Sequence, residues 1–161
     1  NNGFLGAANL LAADLEQKQG SLRQEYLGKA RSLFSNGQLP LWQAVCDLQD
    51  TSIPNRVKPA LVRLEKNAAV KAVPQLYAIW ETVRGDQDYL RGDIAEARKH
   101  WRKAADRLDS VRAQLPPVEL RNSFGKRQSS PHLRLIVSEL EHDPKMAAVW
   151  SERFSSFPWL R

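Results

Sequence analysis

Apolar residues recur at spacings of three and four along most of the chain, and this period constrains the fold more than any other feature. In the segment 4–19, Leu5, Ala8, Leu11 and Leu15 fall on one face of a helix. Glycine and proline cluster between such segments rather than inside them. No stretch combines strict apolar–polar alternation with the β-branched residues typical of strands. The sequence therefore predicts an all-α fold.

The breaks in this period give the expected architecture. The predicted helices are 4–19, 21–34, 41–48, 56–70, 74–90, 94–114, 132–141 and 144–154. Short connections favour antiparallel hairpins. We expect them to stack as an array that resembles an α-solenoid or to form an irregular helical bundle. Length predicts a single helical domain over 1–161, with an internal basic loop at 118–131.

Cysteine and histidine usage argues against redox and metal chemistry. Cys46 is the only cysteine, so no internal disulfide can form, and we expect a buried, inert thiol. A free thiol fits a reducing compartment and favours a cytoplasmic location, although the chain begins with Asn1 rather than methionine. A removed signal peptide and a longer parent chain both stay open. The longest mostly apolar stretch, 4–15, is shorter than the roughly 20 residues of a membrane span.

Residues 85–104 carry a spaced set of small and aromatic side chains. Gly92 is followed by Ala97, Trp101 and Ala104 at five, nine and twelve residues. This pattern resembles the second half of a tetratricopeptide repeat, and Gly85 stands where the first helix of that unit has a small residue. The resemblance implies a helix–turn–helix unit and covers about one repeat. No second copy follows at a period of 34 residues, and a plain antiparallel hairpin is the alternative.

The positive charge is concentrated in one stretch. The chain has a net charge of +6, and residues 91–134 hold eleven Lys or Arg against five acidic residues. Arg98 and Arg102 lie on neighbouring turns of the predicted helix 94–114, and we interpret them as a basic row. Such a row suits nucleic-acid phosphates, an anionic lipid surface or an acidic protein segment. The alternative is a solvated face that carboxylates on the same helix partly neutralise.

No motif in the chain predicts catalysis. None of the three histidines is spaced with a cysteine or another histidine as a metal pair. The chain has no glycine-rich phosphate loop and no nucleophile elbow. We therefore expect no catalytic residue, cofactor or metal, and predict a non-enzymatic protein.

The favoured function is a protein–protein interaction module, an adaptor or scaffold that holds a peptide or partner subunit on a helical surface. An acidic segment of that partner would suit the basic row. The alternatives are a nucleic-acid-binding protein that uses residues 91–134 and a helical piece of a larger enzyme or assembly. The candidate partner-binding residues are Tyr77, Trp80, Tyr89, Arg98, Arg102, Arg107 and Trp159.

The C-terminal tail is rich in aromatic residues. Trp150, Phe154, Phe157 and Trp159 lie within the last twelve residues of the chain. An exposed cluster this apolar would be a contact surface. The tail is expected either to fold back on the last hairpin or to dock into a partner or a second copy, which would make the chain oligomeric.

Overall fold

A computed structural model describes residues 1–15, 20–50, 53–114 and 130–155, and within these ranges the fold is all-α, as the sequence predicts. The described residues form nine α-helices and one 3₁₀ helix (Pro54–Arg56), with no strand. In chain order the α-helices are α1 Asn2–Leu15, α2 Ser21–Asn36, α3 Pro40–Gln49, α4 Val57–Glu65, α5 Ala68–Ala72, α6 Pro74–Leu90, α7 Ile94–Gln114, α8 Ser130–Glu139 and α9 Pro144–Ser155.

The helix predicted over 56–70 is interrupted, and the prediction was wrong in this detail. Its residues form α4, a break at Lys66 and Asn67, and the start of α5. The Asn67 side chain accepts a hydrogen bond from the Ala69 amide at 2.9 Å. A short polar side chain that bonds to nearby backbone in this way competes with the continuous helix. The apolar period continues across the break, which is why it was not visible in the sequence.

The described residues divide into two compact units, Asn1–Val70 and Lys71–Arg161, and the prediction of a single domain stays a prediction. In the first unit, α1 packs on α2, α2 on α3, and α3 on α4. Gly6 of α1 lies against the ring of Phe34 on α2. The buried core of this unit includes Leu27, Val45 and Leu64.

In the second unit, α6 packs on α7, α7 on α8, and α8 on α9. One core cluster joins these helices, because Trp101 of α7 meets Leu135 of α8 and Trp150 of α9. Asp93 and Asp143 cap α7 and α9 through hydrogen bonds from Glu96 N at 3.1 Å and Met146 N at 3.2 Å. The second unit therefore consists of two successive helical hairpins, α6–α7 and α8–α9.

No helix among the described residues is both long enough and apolar enough to cross a membrane.

Candidate functional site

Helices α6 and α7 approach each other closely at Gly85. A Cβ atom on Gly85 would lie 2.6 Å from two ring atoms of Trp101 and 2.9 Å from the carbonyl oxygen of Ala97. Ala97 is fully buried, and Gly92 makes the turn between the helices with a φ of +85°. Gly85 and Ala97 of the 85–104 pattern thus lie at this close approach, and Gly92 lies in the turn beyond it.

A buried polar chain runs along one side of this hairpin. The Glu81 carboxylate is hydrogen-bonded to His100 Nδ1, and His100 Nε2 lies 3.3 Å from Asp88 Oδ2. Arg91, at the exposed end of the chain, is paired with Asp88. Glu81, His100 and Asp88 are all buried. Buried charged groups need partners of this kind, because an unpaired ion costs several kcal/mol to desolvate.

Tyr77 ends the polar chain on the side away from Arg91. The pKa of its hydroxyl is raised to about 12, first by burial and then by the charge of Glu81 and a hydrogen bond to Glu81. The charges of Arg107 and Arg84 act in the opposite direction and lower it. Two cations, one from each helix, therefore lie around the Tyr77–Glu81 pair.

Trp80 supports one of these cations. The Arg84 guanidinium carbon lies 4.6 Å from the centroid of the Trp80 ring, in a cation–π arrangement. The Tyr77 and Trp80 rings are tilted against each other, with centroids 6.0 Å apart. Trp80 is only 5% exposed, so its ring orients Arg84 and is not itself an open surface.

The predicted basic row of Arg98 and Arg102 pairs with α8, although 44% of the Arg102 side chain stays exposed. Arg102 Nη2 donates to Glu139 Oε1 at 2.9 Å, and Arg98 Nε lies 3.6 Å from the same oxygen. Arg98 also donates to the carbonyl oxygen of Ser138. Glu139 is buried, and its single negative charge is shared by the two arginines. These side chains hold α7 on α8.

Most of the remaining cations in 91–134 are also paired within the described residues. Lys99 pairs with Glu96, and Arg112 lies 3.7 Å from Asp109. Arg134 Nη2 donates to Asp86 Oδ2 at 2.8 Å. The carboxylates of Asp86, Asp88 and Glu139, which lie outside 91–134, therefore offset part of the charge surplus of this stretch.

Three cations differ from these. Among the described residues, Arg84, Lys103 and Arg107 make no ion pair with a carboxylate. Lys103 and Arg107 are exposed, and Arg84 is half-buried. Lys103 and Arg107 are four residues apart, on adjacent turns of α7. We call these three cations, with Tyr77, the cationic face.

A second charged cluster ties α7 to α8 and α9. Asp109 accepts a hydrogen bond from Arg153 Nε at 3.0 Å and lies 3.0 Å from His132 Nε2. Burial alone would raise the pKa of Asp109, but the hydrogen bonds and charges of His132 and Arg153 together lower it. Arg153 also pairs with Asp106 at 2.8 Å. This cluster fixes the helices rather than offering a free charge.

The structure brings together only part of the predicted partner-binding set. Tyr77, Trp80 and Arg107 lie in one region, whereas Tyr89 is 52% exposed and packs against the Trp101 ring. Trp159 lies outside the described residues. Sequence reasoning missed Arg84 and Lys103. The i, i+4 relation of Lys103 with Arg107 and of Trp80 with Arg84 was the available signal.

The described residues contain no group of three or more His, Cys, Asp or Glu side chains that could hold a metal ion. Comparison with protein-family models, with curated proteins and with solved structures gives no match. The tetratricopeptide resemblance of residues 85–104 therefore stays a prediction.

Proposed function

We propose that this chain is a non-enzymatic protein–protein interaction module that binds an acidic segment of a partner protein on its cationic face. One observation carries the proposal: Arg84, Lys103 and Arg107 have no carboxylate partner among the described residues, whereas Lys99, Arg102 and Arg112 of α7 do. Unpaired guanidinium groups bind carboxylates through short, charge-assisted hydrogen bonds.

The support beneath this face also favours binding. The Trp80 ring holds Arg84, and the Glu81–His100 pair joins α6 to α7 under Tyr77. A pre-oriented arginine loses less conformational entropy on binding than a free one. The Tyr77 hydroxyl, whose pKa is about 12, stays neutral at physiological pH and therefore adds no negative charge to this surface. Such a surface suits a short acidic peptide.

The alternative function, nucleic-acid binding by residues 91–134, rests on the charge surplus of that stretch. Internal pairing of Arg98, Arg102 and Arg134 weakens it, because phosphates would compete with carboxylates already in place. Arg121, Lys126 and Arg127 belong to the same surplus and lie outside the described residues. We therefore favour the acidic protein partner.

The test is fluorescence anisotropy with a labelled twelve-residue peptide rich in Asp and Glu, compared with its Asn/Gln counterpart. The double variant Lys103→Gln, Arg107→Gln should bind the acidic peptide at least about tenfold more weakly, because one charge-assisted hydrogen bond contributes about 1.5 kcal/mol or more. The matched control is Lys71→Gln, Lys145→Gln, which removes the same charge at two other exposed sites.

Equal losses in the two double variants would mean that net charge alone drives binding, and the proposal would fail. A labelled single-stranded DNA serves as the competing probe. Tighter binding of the DNA than of the acidic peptide, with the steep salt dependence of phosphate contacts, would favour the alternative function instead.

A further inference from the structure

Helix α1 differs from the other helices in carrying no charge over its first twelve residues, up to Ala13. One of its faces is buried: Gly6 meets the Phe34 ring of α2, and Leu10 and Ala13 are in the core. Helix α2 therefore covers this face of α1.

The opposite side of α1 is apolar and exposed. Phe4 is 73% exposed, Leu5 50% and Leu11 47%. Ala8 lies exposed between them, and Ala12 is half-buried. These five residues fall within about a third of the helix circumference, and we call them the α1 apolar face. Exposed apolar clusters of this kind mark contact surfaces, because their hydration is unfavourable.

The order of side chains on the α1 apolar face is self-complementary. If two copies cross antiparallel with a two-fold axis at Ala8, position 4 faces position 12 of the other copy. The large Phe4 then meets the small Ala12. Leu5 meets Leu11 in the same way, and Ala8 meets itself, which lets the backbones approach closely. The bulk of Phe4 is thus matched by the small Ala12, and the two leucines pair beside them.

We propose that the α1 apolar face is a self-association surface, and that a second copy of this chain covers it through antiparallel packing around Ala8. A charged partner protein would gain no electrostatic attraction here, since the α1 apolar face offers no charge for steering or specificity. A membrane surface fits less well, because the face is not bordered on α1 by the Lys or Arg residues that meet anionic lipids.

The size of the face sets the expected strength of the dimer. Phe4, Leu5 and Leu11 together expose on the order of 300 Å² per copy, given about 150–250 Å² for a whole phenylalanine. Both copies then bury less than the roughly 1,200 Å² that separates transient from stable interfaces. We therefore expect a reversible dimer whose population rises with concentration.

Sedimentation equilibrium over a hundredfold range of protein concentration tests for this dimer. Wild type should fit a monomer–dimer equilibrium, and Ala8→Glu should stay monomeric, because two carboxylates would meet at the axis. The matched control is Ala7→Glu, which adds the same charge at an exposed position beside the face and should dimerise like wild type. A monomeric wild type, or equal dimerisation of Ala8→Glu, would overturn the proposal.

Cysteine cross-linking tests the register independently of any effect on folding. Phe4→Cys and Ala12→Cys chains, mixed and oxidised, should form mainly mixed disulfide dimers, since each new thiol faces the other. Wild type, whose only thiol is the buried Cys46, should form none. A random mixture of disulfides would contradict the antiparallel register. Binding of wild type, but not Ala8→Glu, to neutral lipid vesicles without dimer formation would identify a membrane surface instead.

Discussion

Gly85→Ala tests the close approach of α6 and α7 directly. Away from tertiary contacts, alanine is favoured over glycine inside a helix by about 0.8–1.0 kcal/mol. At Gly85, however, the added Cβ would lie 2.6 Å from Trp101 Cδ1 and Nε1 and 2.9 Å from the Ala97 carbonyl oxygen. All three distances are shorter than a van der Waals contact, so the Trp101 ring or one of the two helices must move.

The cost of that movement is at the upper end of the usual range. Overpacking a filled core costs about 1–3 kcal/mol. The Trp101 ring is held by hydrogen bonds from its Nε1 to Thr82 O at 3.2 Å and to Asp86 Oδ1 at 3.0 Å. Displacing the ring lengthens both bonds. With a cost of about 3 kcal/mol and a propensity gain of about 1 kcal/mol, we expect a net loss of about 2 kcal/mol.

Thermal unfolding followed by circular dichroism at 222 nm measures this. For a chain of 161 residues, a loss of about 2 kcal/mol lowers the Tm by about 4–8 °C. The control is Gly28→Ala in α2, where an added Cβ meets nothing within 4 Å. That variant should be more stable by up to about 1 kcal/mol. If both substitutions stabilise the protein equally, the helices are not in contact at Gly85 and the packing argument is wrong.

Three further outcomes follow from the same geometry. Gly92→Ala should destabilise the α6–α7 hairpin by about 1–2 kcal/mol, measured by urea unfolding, because its φ of +85° is unfavourable for alanine. Because the pKa of Asp109 is lowered in the folded state, its carboxylate stabilises the protein above the unfolded pKa of about 3.9. This stabilisation is lost as the pH falls through the folded pKa. Asp109→Asn should therefore flatten the acid limb of a curve of stability against pH. Tyr77 should ionise only near pH 12 in a spectrophotometric titration at about 295 nm, and Glu81→Gln should bring that ionisation to lower pH; ionisation of Tyr77 near pH 10 in wild type would contradict its placement.

The helical architecture could be predicted from the sequence because its causes are local. Apolar spacing and glycine or proline breaks place α6 and α7 at the predicted bounds, Pro74–Leu90 and Ile94–Gln114. The division of 56–70 could not be predicted, because it depends on whether the Asn67 side chain turns to the backbone at 2.9 Å or to solvent. Composition alone does not distinguish these two conformations.

The candidate site was harder to predict because its cations compete for carboxylates that are distant in sequence. Glu139 pairs with Arg98 and Arg102 from 37 or more residues away. The sequence placed both arginines on one helical face, but which helix that face meets depends on tertiary packing. Arg107, on the same helix, instead lies near Tyr77 of α6, and its charge lowers the pKa of the Tyr77 hydroxyl. The periodicity of a single helix does not show which residues of other helices its side chains pair with.

The most direct measurement is a ¹H–¹⁵N correlation spectrum recorded during titration with the acidic peptide. We expect the largest shifts at the Arg84, Lys103 and Arg107 amides and at the indole N–H of Trp80, whose ring supports Arg84. We expect no comparable shifts at Arg98 and Arg102, which are paired with Glu139. Largest shifts at Arg98 and Arg102, or no shifts on the cationic face at saturating peptide, would contradict the proposed binding surface.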